Sequence, residues 1–186
     1  MKKILFASLI AAAFAAPAAH AEGPAYAGFA LGAGGGDFTL SDGFSTIKST
    51  NSPVPFNAYV GYAFHPNFAV EGGLTYFGEY RFDAPPKATV GAFHLGIKGS
   101  LPLAQNWLLT GKIGVARHGV SVDVPAGAGT LEYNAHAVRP MFGVGMEYRF
   151  TDRFSATLDL NDYGTSKEPE LQLAIRNLEL GIKYRF

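Results

Sequence analysis

The sequence predicts an all-β protein, one eight-stranded antiparallel up-and-down transmembrane β-barrel. Three observations carry this. Apolar residues alternate with polar residues or glycine at period two through eight separate segments, the pattern of a strand with one apolar face. The connections alternate between tight turns and longer loops. The chain opens with an export signal, yet no later run approaches the ~20 apolar residues that a membrane-spanning helix needs.

The export signal is MKKILFASLIAAAFAAPAAHAE. Lys2 and Lys3 supply the positive start, Ile4 to Ala16 a short apolar run, and Ala19-His20-Ala21 a small-x-small cleavage site. Residues 1–21 are therefore expected to be a signal peptide and 22–186 the barrel domain, a mature chain of 165 residues, one domain's worth. That mature chain keeps 13 Lys and Arg against 15 acidic residues, a net charge of −2, which speaks against nucleic acid as a partner. Cysteine is absent, so no disulfide stabilises the exported chain. The 23 glycines and 13% aromatic residues, with only 16% charged residues against a usual ~25%, fit a membrane barrel better than a soluble domain.

The first segment, AYAGFALGA, sets Ala27, Phe29, Leu31 and Ala33 on one face. The second, FNAYVGYAF, does the same with Phe56, Ala58, Val60, Tyr62 and Phe64. In the third, FAVEGGLTYFGEYRF, the apolar face holds Phe68, Val70, Leu74, Tyr76, Tyr80 and Phe82, with Gly72 and Gly78 between them. Ala69, Glu71, Gly73, Thr75, Phe77, Glu79 and Arg81 form its other face. The fourth, TVGAFHLGIKGSL, opposes Phe93, Leu95, Ile97 and Leu101 to His94, Gly96, Lys98 and Ser100. The fifth runs from Trp107 to about Val122, with Trp107, Leu109, Ile113 and Val115 against Thr110, Lys112, Gly114 and His118. The sixth runs from about Leu131 to Phe150, with Val138, Phe142, Val144, Met146, Tyr148 and Phe150 against Arg139, Gly143, Gly145, Glu147 and Arg149. The seventh, FSATLDLNDYG, opposes Phe154, Ala156, Leu158 and Leu160 to Ser155, Thr157, Asp159 and Asn161. The eighth ends the chain as LELGIKYRF.

Tight turns are expected at 65–67, 102–106 and 151–153, and longer loops at 34–55, 83–87, 125–130 and 162–170. Three short turns and four long loops place both mature termini at the short-turn end, which is periplasmic in outer-membrane barrels. Periodicity alone does not say which face looks inward, because a soluble sandwich would bury the apolar one. The signal peptide, the glycines on the polar faces and the aromatic residues beside the short turns favour an apolar face turned to lipid. Tyr62, Phe64, Phe68, Trp107, Tyr148, Phe150 and Phe154, with Tyr184 and Phe186, are then expected to form an aromatic girdle at one membrane interface.

The inward charges expected near mid-strand are Glu71, Lys98, Lys112, Glu147, Asp159, Glu179 and Lys183. An eight-stranded barrel has an interior just wide enough for its side chains to fill it, so these charges must pair. A near-balanced set suits a closed, ion-paired lumen. A conducting pore would more naturally carry one sign of charge, and a narrow or gated passive channel for small solutes is the alternative. No catalytic, cofactor-binding or metal-ligating set is expected. Glu71 and Glu147 read more readily as structural ion-pair members than as an acid/base pair. His94, His118 and His136 lie on separate strands without ligand spacing, and Gly34-Gly35-Gly36 lacks the Lys-Ser/Thr of a phosphate loop.

The residues meet a known family at this point. AYAGFALGA, YVGYAFHPNFAVEGGLTYFGEY and VRPMFGVGMEYRFTDRFSATLDL resemble, in order and spacing, strands one, two to three and six to seven of the small eight-stranded outer-membrane barrels. These are the OmpA-type transmembrane domain and the neisserial surface protein and opacity-like barrels. The resemblance implies a Gram-negative cell outer membrane protein, monomeric and non-enzymatic, with an envelope-integrity or adhesion role. It implies outer-membrane lipid and lipopolysaccharide as surroundings, the barrel-assembly machinery as a partner during insertion and a host surface ligand as a partner of the loops. It also makes Gly181, Tyr184 and Phe186 a C-terminal insertion signal. No lipid A deacylase is implied, since the His-x-Ser pattern is absent and Val120 follows His118 at that spacing. The sequence departs from OmpA in two ways. The given chain stops at the barrel, so a periplasmic tethering role is not carried over. Thr157 stands where OmpA's lumen network has an Arg, and Lys112 replaces another Arg, so any gate is altered.

Overall fold

Eight antiparallel strands close on themselves in the computed structural model, which describes residues 24–33, 37–41, 46–48, 53–81, 87–126, 129–167 and 171–186. The expected signal peptide and its cleavage site lie outside those residues. In chain order the strands are β1 (Ala25–Ala33), β2 (Asp37–Ser41), β3 (Thr46–Lys48), β4 (Phe56–His65), β5 (Phe68–Arg81), β6 (Lys87–Pro102), β7 (Trp107–Ala126), β8 (Gly129–Arg149), β9 (Phe154–Lys167) and β10 (Leu171–Arg185). The wall runs β1-β4-β5-β6-β7-β8-β9-β10 and is sealed by β1 against β10, from Tyr26↔Arg185 to Ala33↔Leu178. The Phe186 amide donates to the Ala25 carbonyl at 3.1 Å, so the seam extends to the last residue. Closure leaves neither β1 nor β10 with an open edge along the seam, where unpaired backbone groups in lipid would be prohibitively costly.

Side chains alternate as period two requires. Phe29, Leu31, Phe93, Leu95, Ile97, Ile113, Val144, Leu158, Leu180 and Ile182 stand exposed on the outer wall, while Lys98, Lys112, Glu147, Asp159, Glu179 and Lys183 of the same strands are buried inside. An exposed apolar wall around a polar interior is the inverse of a soluble barrel and suits a hydrocarbon solvent. The interior fills because aromatic rings lie across glycines of the neighbouring strand. Tyr26 pairs with Gly61 and Gly28 with Tyr59, and a Cβ on either glycine would land in the facing tyrosine ring.

The short turns carry local hydrogen bonds. The Asn67 amide donates to His65 Nδ1 at 3.1 Å, and the Phe154 amide to Thr151 Oγ1 at 3.0 Å. The other end departs from the sequence expectation in three ways. The expected loop 34–55 contains the hairpin β2–β3, and β2 adds to β10 through Leu171↔Leu40 to Ala174↔Asp37. It covers β10 above the point where β1 stops, and so removes an open edge. The loops expected at 162–170 and 125–130 are largely strand, since β9 runs to Lys167, β10 starts at Leu171, and β7 and β8 meet within 126–129. Strict alternation also breaks in β5. Tyr76 pairs with Gly91 and Gly78 with Val90, so Phe77 is an extra, bulged residue. Gly78, with φ at +110°, takes the left-handed conformation the bulge needs. It thus falls on the parity of buried Val90, not on the apolar outer face expected for it.

The β8–β9 ladder ends at Phe142↔Asp162, although β8 continues outward for thirteen more residues with β7. Pro140 explains the stop. Its carbonyl points towards Gly164 of β9, so its nitrogen, which has no hydrogen to donate, points the same way. Above it β8 keeps β7 as its partner among the described residues, while β7 stays paired with β6 up to Lys87↔Asp123, so the β7–β8 hairpin outreaches β6 only over 124–126 and 129–131.

Candidate functional site in the barrel lumen

The inward positions of β5 to β10 stack into three tiers. Nearest the short turns, Glu147 of β8 is met by Lys183 of β10, with which its Oε2 forms a very close ion pair, and by Arg149 Nε at 3.7 Å. Thr157 lies directly across from Glu147 on β9 and is fully buried. The cation serving this carboxylate therefore comes from β10 and not from the Thr157 position. Lys183 also sits over the Tyr26 ring, 4.9 Å from its centroid.

In the middle tier Lys112 Nζ contacts Glu71 Oε1 at 2.5 Å, and the Tyr26 hydroxyl donates to Glu71 Oε2 at 2.9 Å. Lys98 Nζ stands almost equidistant from Glu71, at 3.7 Å, and Asp159, at 3.8 Å. Both lysines lie over the face of Tyr59, 5.8 and 5.9 Å from its centroid. A buried ammonium near a carboxylate and an aromatic face is the arrangement that offsets its desolvation.

The upper tier differs from the ion-pair expectation. Glu179 takes hydrogen bonds from Asn57 Nδ2 at 2.9 Å, Asn177 Nδ2 at 2.9 Å and the Tyr163 hydroxyl at 3.0 Å. No lysine or arginine among the described residues forms an ion pair with it. Three neutral donors hold this carboxylate in place of a base, a sound solution because every oxygen is satisfied. Thr75 in turn hydrogen-bonds the Tyr163 oxygen at 3.0 Å.

Above Glu179 the lumen ends in an aromatic roof. Phe77 and Tyr163 meet edge to face with centroids 5.1 Å apart, and His94 packs on Tyr163 at 5.9 Å. His118 Nε2 lies 2.9 Å from the Tyr163 carbonyl oxygen, and Val90, Ala116 and Met141 are buried around them. The structure thus brings Glu71, Lys98, Lys112 and Asp159 into one cluster, sets Glu147 with Lys183 below it, and separates Glu179 into an amide cradle. Tyr26, Asn57, Tyr59, Phe77, Tyr163 and Asn177 complete the lumen and were not singled out from the sequence. Parity with Glu71, Asp159 or Glu179 was the available signal for Phe77, Tyr163 and Asn177.

On the outer wall the girdle residues stand at the short-turn rim. Trp107 and Tyr148 pack at 4.8 Å and Tyr148 and Phe150 at 5.1 Å. Phe154, Tyr184 and Phe186 form a second run at 5.0 and 5.2 Å, with Phe64 and Phe68 stacked on a third arc and Tyr62 exposed beside them. Gly181 lies inside, where a Cβ would meet the Phe29 carbonyl at 2.7 Å. Among the described residues no group of three or more His, Cys, Asp or Glu could hold a metal ion.

An exposed apolar wall, an aromatic rim and a charged, close-packed interior define a transmembrane β-barrel protein. The chain belongs to the family described as the outer membrane protein beta-barrel domain, whose match spans residues 4–186. It is an eight-stranded barrel of the outer membrane. No curated protein sequence matches it. Among solved structures it is similar to outer membrane protein AlkL, with TM-score 0.65 and 16% identity over 90% of this chain and 92% of that one. It is also similar to neisserial surface protein A, with TM-score 0.62 and 12% identity over 88% and 97%. A third is Ail, the attachment invasion locus protein of Yersinia pestis, with TM-score 0.56 and 16% identity over 89% and 100%. At these identities the likeness is one of fold.

Proposed function

We propose that the protein is a closed, non-conducting and non-enzymatic barrel that presents its long-loop end for surface contact and contributes to envelope integrity. The observation that carries this reading is the filled lumen. Two tiers of ion pairs, an amide-held carboxylate and an aromatic roof lie in series along the lumen. An attachment role is supported by the long β7–β8 hairpin, which outreaches its neighbours at its tip, and by the fold shared with Ail, an attachment protein by its name. In this reading the barrel is a monomer surrounded by lipid and lipopolysaccharide, with the short turns and both termini in the periplasm. Gly181, Tyr184 and Phe186 serve as the signal read by the assembly machinery.

Planar-bilayer recording tests the closed lumen. The purified protein is expected to give no reproducible openings, and stable unitary steps would overturn the reading in favour of a narrow channel. The near-equal spacing of Lys98 from Glu71 and Asp159 is the feature that would favour such a channel, because one lysine could exchange between the two carboxylates. For orientation, a protease-cleavable tag within residues 127–128 should be cut on intact cells and one after Thr151 should not. Attachment is tested by comparing host-cell binding of bacteria carrying the full chain with that of bacteria whose β7–β8 hairpin is shortened at its tip. Equal binding would remove the adhesive role.

A further inference from the structure

Arginine on the lipid-facing wall of a barrel is unfavourable at the bilayer centre and tolerated near the interfaces. Arg117 of β7 and His136 of β8 both point outward and are exposed. Arg117 pairs with Val138, and His136 with Gly119 one step higher, so the two side chains are diagonal neighbours on one face. The imidazole leans back over β7, since a Cβ on Gly119 would lie 3.6 Å from His136 Nδ1. Neither side chain forms an ion pair with a carboxylate among the described residues. Arg176, an exposed arginine on β10, is already neutralised by Asp162 at 2.8 Å.

The height of the pair identifies its surroundings. Arg117 stands ten residues along β7 from Trp107 of the aromatic girdle. A strand rising ~3.3 Å per residue at ~40° tilt covers about 25 Å of membrane over that length, the height of a barrel's apolar band. The wall between them carries Leu109, Ile113 and Val115, all exposed. Arg117 and His136 therefore meet the headgroup layer of the opposite leaflet. Given the orientation proposed above, on which this inference rests, that leaflet is the outer one, and its anionic headgroup chemistry is phosphate on glucosamine. A guanidinium with an imidazole beside it supplies the forked and single donors that a phosphate monoester accepts.

We propose that Arg117 and His136 form a phosphate-binding notch on the outer wall that holds the headgroup of a lipid A molecule. The notch fixes one glycolipid at the β7–β8 side of the barrel, below the tip of the β7–β8 hairpin.

The test uses the full mature protein in phospholipid nanodiscs doped with bisphosphorylated lipid A. Retention of lipid A is read by native mass spectrometry after transfer to detergent. Wild-type protein should retain lipid A, and Arg117→Gln or His136→Gln should each weaken retention by about fivefold to tenfold, the loss of one charge-assisted hydrogen bond. Arg176→Gln should leave it unchanged, and lipid A stripped of its phosphates should bind wild type no better than it binds Arg117→Gln. Equal retention by Arg117→Gln and wild type, or indifference to the phosphates, would overturn the proposal. Displacement by millimolar inorganic phosphate would overturn it too, by showing a soluble-anion site. Both leaflets of the disc carry lipid A, so the outcome does not depend on orientation, and a failure of the orientation assay is distinguishable from a failure here. Unaltered heat-modifiable gel migration confirms that each exposed-site variant is folded.

Discussion

Lys112 and Lys98 both pair with Glu71, but Lys112 is the closer, at 2.5 Å against 3.7 Å. Removing Lys112 takes the close cation from a carboxylate that has no exposure at all. Lys112→Met is expected to destabilise the barrel in detergent by roughly 3–5 kcal/mol, the cost of orphaning a buried charge. Lys98→Met leaves Asp159 with only the 3.4 Å hydrogen bond from Thr110, while Glu71 keeps Lys112 and Tyr26. Its cost should be smaller, about 1–3 kcal/mol. Urea unfolding midpoints would check the order, and a larger loss for Lys98→Met would reassign the main partner of Glu71. Neutralising both ends, with Glu71→Leu and Lys112→Met together, should recover most of the loss, because a missing pair costs far less than half a pair. A second residue-scale expectation concerns Gly61. Alanine there would collide with the Tyr26 ring, so Gly61→Ala should block assembly into the heat-modifiable form, and Tyr26→Leu in the same chain should restore it. Failure of that rescue would mean that the glycine is needed for the backbone and not for the ring.

The strands with an apolar outer face were legible in the sequence because lipid on one side and side chains on the other impose a strict period of two. What lacked that two-sided constraint was not legible. The β2–β3 hairpin lies in a Ser-, Thr- and Gly-rich stretch outside the apolar band, where pairing leaves no apolar rhythm. The bulge at Phe77 adds one residue without changing composition, and reading straight through it put Gly78 on the wrong face. In the lumen, charges announced themselves by residue type, whereas the amide and phenol donors around Glu179 are neutral and carry no charge pattern. The hairpin's role can be tested as an element. Replacing residues 37–48 with a Gly/Ser linker should leave the barrel closed, since β1 and β10 pair independently of it. Hydrogen exchange should then rise at Leu171–Ala174 and stay unchanged at Leu178–Arg185. Exchange rising along the whole of β10 would show that the hairpin supports the seam itself. At the far end of the same strand, deleting Phe186 removes one backbone bond to Ala25 and one ring of the girdle, a small loss to the finished barrel. Its effect should appear mainly as a fall in outer-membrane levels. Equal levels in cells would count against a signal at Gly181, Tyr184 and Phe186.

For the molecule as a whole, the proposed closure would depend on barriers in series that differ in kind. In that proposal the roof of Phe77, Tyr163 and Met141 would exclude ions by its apolar surface, and the tiers below would exclude them by occupying the space with paired charges. An ion entering from the long-loop end through an opened roof would still meet Lys112 and Lys98 locked on Glu71 and Asp159, with Tyr26 and Tyr59 filling the gaps across Gly61 and Gly28. Barriers in series are not removed by removing one. The double variant Phe77→Ala/Tyr163→Ala is therefore expected to remain silent in planar bilayers, although losing Tyr163 also removes a donor from Glu179 and should lower the unfolding midpoint. Conductance from that variant alone would place the whole seal in the roof and make the charged tiers a permeable, hydrated path. Silence together with a lowered midpoint would show that the lumen charges both hold the barrel together and close it.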